Sequence, residues 1–507
     1  MSRKFVMLLI LTTLLANTSV ADLYSALWGK DGSQWSPDGR LPDFSFAGYM
    51  RGEEPLPAPS VTYNILDFGA VEDDEIDDSD AFLKAIAAVP QGVILVPEGR
   101  YIITKMLVIN KPDVVLRGEG PDKTTLFFPI PLNDIKPNWG ATTSGQRTSN
   151  YSWSGGFISI RGSYQRKQIT TITSAAKRGQ HAIEVDDTSM LSVGQEIEIR
   201  LEDNAENSLA NHLYSGDPRI SLEKLLGRTH ASLVTRIESI KSNTVTFDRP
   251  LRFDIEAAWK PAVYRFAPTV TQSGIEGLRF EFPNIPYEGH FSELGKNAFA
   301  LSQVAHCWVR NIHVHNADSG GFVSGSFNTV DGMLFTSDRR EDSNRKSTGH
   351  HGLTNGGDDN LFINFDYQSK FIHDITVSRS SGNVHANGRG IDLALDHHRH
   401  GSFENLFTNI HVGLGSRVWQ SGGGAALGAH CAARGTFWNI WADQTFQAPD
   451  SKFGPWSMNF VGIQMDAPAN TQPAERWYEH SSSERVYPVN LHHAQLERRL
   501  KSKDSQE

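Results

Sequence analysis

Short β-like runs that recur through the second half of the chain constrain its fold most. Each run is largely apolar, and most of them contain an asparagine or aspartate. The copies read GIEGLRFEF, CWVRNIHVHN, DNLFINFDYQ, KFIHDITVSR, ENLFTNIHVG and GTFWNIWADQ. Aligning Ile312, Ile375, Ile410 and Ile440 gives gaps of 63, 35 and 30 residues, and the first gap holds a further copy at Phe365. Irregular repeats of this size predict solenoid coils, since each coil buries its apolar face only on its neighbours.

The asparagines inside these runs are expected at coil bends or in side-chain ladders. The alternative fold is an antiparallel sandwich. Its strands should show clearer hairpin turns and stricter alternation than this sequence does. The recurrence therefore favours a β-helix.

The segment that precedes the repeats reads strand, acidic turn, short helix, strand. It begins with YNILDFGA, continues through acidic residues at 73–80 and the helix-spaced AFLKAIAAV, and ends in GVILVPEGRYII. This order resembles the start of the pectate-lyase/polygalacturonase-like superfamily. The matching residues are Asp67, Phe68, Gly69, Ala70, Asp78, Ala81, Ala85, Val96, Pro97, Gly99 and Tyr101, followed by VVLRGEG at 114–120 and by Thr125 and Leu126. The resemblance implies an all-β fold, a single-stranded right-handed parallel β-helix with an N-terminal capping helix.

The chain divides into four predicted parts. Residues 1–21 have Arg3 and Lys4, an apolar run at 5–15 and small residues before Asp22, a pattern that predicts a cleaved signal peptide. An N-terminal extension at 22–60 leads into a β-helix catalytic domain at 61–475, in which paired strands at 168–253 predict a small β insertion. Residues 476–507 form a charged tail, expected to be helical or frayed. No later apolar run is long enough to span a membrane.

Charge narrows the class of partner. The formal net charge of −10 argues against a nucleic-acid binder, because phosphate contacts need a basic field. Basic residues nevertheless concentrate at 339–399, which predicts a cationic groove for an anionic ligand, with a solvated basic face as the alternative. The two cysteines, Cys307 and Cys431, could pair or remain free thiols.

Two histidine pairs mark the expected active site. His350-His351 and His397-His398 lie in GHHG and LDHHR, and adjacent strand residues point to opposite sides. One member of each pair is therefore expected to face a groove. The same geometry argues against zinc, because adjacent strand histidines are poorly placed to share an ion and no H-E-x-x-H motif is present.

This composition favours β-elimination on a uronate. Such a reaction needs a neutralised carboxylate, a base and a proton donor, and histidine titrates in the right range for proton transfer. We expect His351 and His398 as base and acid, Arg389 and Arg399 as the neutralising groups, and Asp392 or Asp396 to orient an imidazole. Predicted substrate-binding residues are His350, His397, Arg417, Trp419, His430 and Arg434.

Asp358 and Asp359, in GGDDN, admit three interpretations. Hydrolases of the superfamily use a G-D-D segment followed by G-H-G and R-x-K, but here the histidines come first and no later R-x-K is clear. The two carboxylates could instead bind calcium, the one cofactor that the sequence suggests, or they could form a solvated turn.

Together these patterns predict a secreted or periplasmic polysaccharide lyase that acts on an acidic polysaccharide, as a monomer. The alternatives are a polygalacturonase-like hydrolase that uses Asp358 and Asp359, and a β-helix that binds glycans without catalysis.

Overall fold

The computed structural model describes residues 23–142, 144–479 and 485–504. The predicted signal peptide and parts of the predicted tail lie outside these ranges. The helices are α1 Ser79–Ala88, α2 Leu132–Ile135, α3 Ser208–Leu213 and α4 Leu491–Asp504. Short 3₁₀ turns lie at Lys30–Gly32, Tyr49–Gly52, Ile65–Phe68, Asn150–Ser152, Glu223–Leu225 and Ala257–Trp259.

The strands, in chain order, are β1 Val61–Asn64, β2 Gly92–Val96, β3 Gly99–Ile102, β4 Leu107–Ile109, β5 Val114–Gly118, β6 Thr124–Phe127, β7 Trp139–Ala141, β8 Arg147–Ser149, β9 Ile158–Arg161, β10 Gln168–Thr171, β11 Ala182–Glu184, β12 Glu196–Glu202, β13 His230–Lys241, β14 Thr244–Phe247, β15 Ala262–Arg265, β16 Gly274–Glu281, β17 Asn297–Ala305, β18 Trp308–His315, β19 Ser319–Ser326, β20 Thr329–Thr336, β21 Gly349–Asn355, β22 Leu361–Tyr367, β23 Phe371–Val377, β24 Val384–Gly390, β25 Leu395–His397, β26 Leu406–His411, β27 Thr436–Trp441, β28 Phe446–Gln447, β29 Asn459–Ile463, β30 Met465–Asp466 and β31 Trp477–Glu479.

These strands build a parallel β-helix, as predicted. The chain alternates between a 14-stranded sheet, which holds β16, β18, β20, β22, β24 and β26, and a seven-stranded sheet, which holds β17, β19, β21, β23 and β25. Neighbours in both sheets are parallel, and such crossovers are almost always right-handed. The apolar core lies between the sheets, and at its N-terminal end α1 packs Phe82 and Ile86 into it as the expected cap.

Equivalent residues of successive coils are in register in the sheet, although the coils differ in length. Leu278, Ile312, Met333 and Phe365 are partners across four coils, at spacings of 34, 21 and 32 residues. Ile410, Ile440 and Ile463 continue the sheet at spacings of 30 and 23. Ile375 lies instead in the second sheet, opposite Leu353, so its alignment with the other isoleucines was wrong. A single sequence pattern serves both sheets because both bury the same kind of apolar face.

The internal asparagines occupy both kinds of position expected of them. Asn328, Asn360, Asn383 and Asn405 form a buried ladder, in which each side-chain oxygen accepts from the backbone N–H of the preceding coil. A second column has left-handed backbone at the residue before each inward-facing side chain. Its members are Gly277, Asn311, Gly332, Asn364, Asn387, Asn409, Asn439 and Gly462. Glycine and asparagine tolerate this conformation best.

The β insertion forms a separate antiparallel sheet in the order β10-β15-β12-β13-β14-β11, with its own apolar core. It therefore extends to Arg265, beyond the end at residue 253 expected from the sequence. The last strand is four residues long and is fixed by pairing with both β10 and β12, which local sequence does not reveal.

The N-terminal extension and α4 cover the outside of the large sheet. Trp28, Phe44 and Leu491 pack with Leu406 and Trp438 on that face. Cys307 and Cys431 are buried and unpaired, and burial raises the pKa of each thiol to about 12. Among the described residues, no helix is long and apolar enough to cross a membrane.

Candidate functional site

A cluster of histidines and carboxylates lies on the seven-stranded sheet. Its members are His350 and His351 on β21, His373 on β23, Asp396 on β25, His398 just beyond β25, and Tyr287, His290 and Glu293 in the connection between β16 and β17. Because parallel register places His351 opposite His373, residues from distant parts of the sequence meet at one place.

Asp396 is the centre of this cluster. Its Oδ2 accepts a hydrogen bond from Nδ1 of His398 at 2.9 Å and lies 3.0 Å from Nδ1 of His373. Its Oδ1 accepts from the backbone N–H of Gly422 at 2.7 Å, which fastens the glycine-rich loop over the site. Burial raises the pKa of Asp396, but the two histidines outweigh burial and hold it well below its usual value.

His398 is partly exposed, as is His290. The side chain of His398 is 31% accessible, whereas the side chains of Asp396 and His373 are buried. Burial lowers the pKa of His398, yet the hydrogen bond and charge of Asp396 raise it overall above the ordinary value. The Asp396–His398 pair thus presents one oriented imidazole to the surface.

Behind this pair lies a second group of contacts. Nδ1 of His350 is 3.4 Å from Oε1 of Glu293, and that carboxyl also accepts from the hydroxyl of Tyr287. Burial raises the pKa of Glu293 to about 7. Burial, followed by neighbouring positive charge, lowers the pKa of His350 well below its usual value.

The histidines that were expected to act together lie in different environments. His351 is buried, with Nδ1 3.3 Å from the Thr354 hydroxyl and close to Thr376, so it does not reach the surface as His398 does. His397 lies in the core among Phe407, Phe437 and Phe453, where burial lowers its pKa to about 4. Of the two predicted pairs, His398 alone is placed at the cluster and exposed.

Of Arg389, Arg399 and Arg417, one lies beside the cluster and two are engaged elsewhere. Arg399 lies beside the cluster, where it donates to the Gly428 carbonyl at 2.6 Å and contacts His430 Nε2 at 3.1 Å. Arg389 is on the large sheet, exposed and paired with Asp366, away from the cluster. Arg417 is clamped by Asp374 and by the carbonyls of Asp392 and Phe371.

Three further predicted residues support the framework. Arg434 is bound to the buried Glu404. Trp419 packs edge-on against Phe437 and Phe460 and donates to the Gln447 carbonyl. Asp392 accepts from Ser416, so Asp396 is the aspartate that orients an imidazole.

Asp359 is engaged by two arginines of the insertion. Arg249 donates to both of its carboxylate oxygens, and Arg252 pairs with Oδ1. Burial raises the pKa of Asp359, but these guanidinium groups lower it overall. With both oxygens taken by cations, Asp359 provides no support for a calcium site or for an acid–base pair with Asp358.

A cleft of about 990 Å³ lies between the insertion and the β-helix, and its lining reaches His400, two residues beyond His398. Its lining includes the cationic residues Arg166, Arg200, Lys224, Arg228 and Arg379 and the acidic residues Glu223 and Asp358. It also includes His230 and His400, and burial lowers the pKa of both histidines. Of the basic residues at 339–399, only Arg379 lines it within the described structure, so the expected groove is built mainly by the insertion. Arg339, for example, is buried against Asp318.

The sequence did not single out His290, Glu293 or His373. His373 lies inside a run interpreted as a coil strand, and the other two lie in YEGHFSEL, a connection whose mixture of histidine and glutamate was an available signal. Two histidine-containing groups, His290/His350/His373 and His373/Asp396/His398, have potential metal-ligating atoms within 4.8 Å of one another.

Comparison with known proteins agrees with the fold. Residues 62–207 match a family described as rhamnogalacturonase A/epimerase, pectate lyase-like. No curated protein matches the sequence. The matched range contains the cap but none of the histidine cluster, so it confirms the superfamily resemblance and leaves the reaction open.

Two solved structures are similar to this chain at low identity, and the first of them shows the same fold. The tailspike protein gp49 of Pseudomonas phage LKA1 has a TM-score of 0.50 and 13% identity, over 80% of this chain and 64% of the tailspike. This chain therefore spans less than two thirds of that protein. The exopolygalacturonase of Thermotoga maritima has a TM-score of 0.32 and 9% identity, over 80% of this chain and 75% of that chain.

Proposed function

Taking the pectate-lyase-like β-helix as the premise, we propose that this protein is an exported lyase that cleaves a uronate-containing polysaccharide by β-elimination. The observation that carries the proposal is the cationic cleft, whose lining reaches His400 and Gly401, two and three residues from His398. An anionic chain bound there would pass close to His398, whose imidazole is partly exposed.

The charge of the cleft suits a polyanion. Arg166 and Arg200 share Glu198, with N–O distances of 2.7 and 2.9 Å. Lys224, Arg228 and Arg379 are exposed, and we find no ion pair for them within the described ranges. Free guanidinium groups bind carboxylate or sulfate through two parallel hydrogen bonds.

Elimination divides its tasks among these groups. A base removes the proton alpha to the uronate carboxylate, the bond to the glycosidic oxygen breaks, and that oxygen takes up a proton as the double bond forms. We assign proton transfer to His398, held by Asp396, and neutralisation of the carboxylate to Arg379 with Arg399. Hydrolysis by a pair of carboxylates is disfavoured because Asp359 is already bound by Arg249 and Arg252.

The test measures the ultraviolet absorbance of unsaturated uronate during incubation with pectate, alginate, ulvan and glycosaminoglycans. His398→Gln should lower the rate by about 10² to 10⁴. His411→Gln is the matched control: His411 is 32% accessible and lies 3.1 Å from Asp443, but on the large sheet. Its rate should stay near that of the wild type.

Other outcomes would replace the proposal. New reducing ends without absorbance would show a hydrolase. Binding of a polysaccharide without either product would show a glycan-binding protein. Equal losses in the two variants would remove His398 from the reaction.

A further inference from the structure

Three imidazoles of the cluster converge from separate segments of the chain. His290 comes from the connection between β16 and β17, His350 from β21 and His373 from β23. Their nitrogen atoms lie within 4.8 Å of one another. The objection that neighbouring strand histidines cannot share an ion does not apply here, because each segment contributes one ring.

The spacing of the rings matches a tetrahedral metal site. A zinc–nitrogen bond of about 2.0–2.1 Å places ring centres of tetrahedral ligands about 5 Å apart. The centre-to-centre distances are 4.5 Å for His290 and His350, 5.5 Å for His350 and His373, and 5.9 Å for His290 and His373. Small side-chain rotations would equalise them.

Carboxylates stand behind two of the three rings. Asp396 Oδ2 lies 3.0 Å from Nδ1 of His373, and Glu293 Oε1 lies 3.4 Å from Nδ1 of His350. Metal-binding histidines commonly present their second nitrogen to a carboxylate, which fixes the ring and leaves the other nitrogen for the ion.

We propose that His290, His350 and His373 bind one divalent transition-metal ion through Nε2, with zinc as the best fit, and leave a fourth position open. Imidazole ligands favour zinc over calcium or magnesium, which prefer oxygen. His373, Asp396 and His398 are the weaker set, because Asp396 Oδ2 already accepts from His398 and from the Thr376 hydroxyl.

The ion would add a specific contact to the site. Three protein ligands and one open position are typical of zinc that binds substrate or water. On the proposed lyase function, the open position would take a substrate carboxylate or hydroxyl near His398, whose ring centre is 5.4 Å from that of His373. Metal binding itself does not depend on that function.

The test begins with the full-length protein stripped by a chelator and dialysed free of it. Titration calorimetry with zinc should show one tight site per chain, and cobalt should give the visible absorption of a tetrahedral centre. His290→Ala, in a partly exposed connection, and His373→Ala should each weaken zinc binding at least tenfold. His411→Ala is the control and should bind like the wild type. Circular dichroism confirms that each variant is folded.

The results separate the site from the function. No stoichiometric zinc binding, or equal binding in folded His290→Ala and His373→Ala, would overturn the metal site. Stoichiometric zinc without cleavage of any tested polysaccharide would support the site and count against the lyase. Cleavage by a protein that binds no zinc would support the lyase and overturn the metal site.

Discussion

Asp358 and Asp359 are adjacent residues with opposite environments. Asp359 is 3% accessible at its side chain and bound by Arg249 and Arg252, which lower its pKa. Asp358 accepts from the backbone and hydroxyl of Ser381, but burial and the charge of Asp359 raise its pKa to about 6. The two carboxylates therefore affect folding with opposite signs.

Asparagine substitutions test this contrast. Asp359→Asn should lower the free energy of unfolding by about 3–5 kcal/mol at neutral pH, because two arginines lose their counter-charge. The loss should shrink as pH falls below about 4, where the unfolded-state carboxyl and then the folded-state carboxyl of the wild type become protonated. Denaturant unfolding at several pH values measures it.

Asp358→Asn should stabilise the protein above pH 6, since the folded state no longer carries an ionised carboxylate at a site that disfavours it. The gain should vanish below about pH 4, where the wild-type carboxyl is protonated in both folded and unfolded states. A loss of stability at neutral pH would show that the Asp358 charge is needed for folding.

Gly422 controls the space above the two histidines. A β-carbon there would lie 2.4 Å from Cε1 of His398 and 3.0 Å from Cε1 of His373, so Gly422→Ala must displace a ring. We expect the rate of the proposed elimination to fall about ten- to a hundredfold, as for a small misplacement of reacting groups. Gly424→Ala is the control in the same loop, because its nearest neighbour would be Leu427 at 3.6 Å. A similar loss in both variants would point to loop stiffness instead.

At the scale of the element, each coil depends on one left-handed residue that redirects the strand. Asn311 has a φ of 53° and precedes the buried Ile312. Asn311→Ala should cost about 1–2 kcal/mol, because the β-carbon of alanine clashes in this conformation and no local hydrogen bond compensates. Asn311→Gly is the control and should stay close to the wild type. Thermal unfolding measures the stability of both variants. An equal loss of stability in both would show that the amide side chain of Asn311, rather than its backbone conformation, stabilises the coil.

An aromatic stack carries the fold through successive coils. Phe362, His385, Phe407, Phe437 and Phe460 follow one another with ring centres 4.6 to 5.4 Å apart. His385 lies inside this stack, where burial lowers its pKa to about 3. This histidine therefore serves as a flat core residue, although it lies in the same histidine-rich stretch of sequence as His373 and His398.

At the scale of the whole molecule, the insertion is fixed to the β-helix by buried ion pairs. Arg178 and Arg252 of the insertion both approach Glu404, which also accepts from Arg434. Arg249 and Arg252 reach Asp359 in the same region. These contacts hold the wall of the cleft in a defined position relative to the histidine cluster.

The sequence predicted the β-helix and its cap because both leave local, repeating patterns. It singled out His398, with Asp392 or Asp396 as its partner, because these residues share one short segment. It did not place His290 or Glu293 in the site, because the two reach the cluster from a connection about 100 residues earlier than Asp396. Nor could it show that Arg417 and Arg434 form ion pairs with buried carboxylates, since only the folded structure reveals which charges pair.

The cleft predicts a salt-dependent affinity that belongs to the assembled molecule. Arg228 comes from the insertion and Arg379 from the β-helix, and both are exposed on the cleft. The double substitution to serine should weaken binding of an anionic polysaccharide and flatten its dependence on salt, since fewer charges remain to be screened. Lys84→Ser with Arg485→Ser removes the same charge at exposed positions outside the cleft lining and should change little. Calorimetry at low and high salt measures the affinity of each double variant for the polysaccharide. Equal losses of affinity in the two double variants would mean that net charge, rather than the cleft, attracts the polymer.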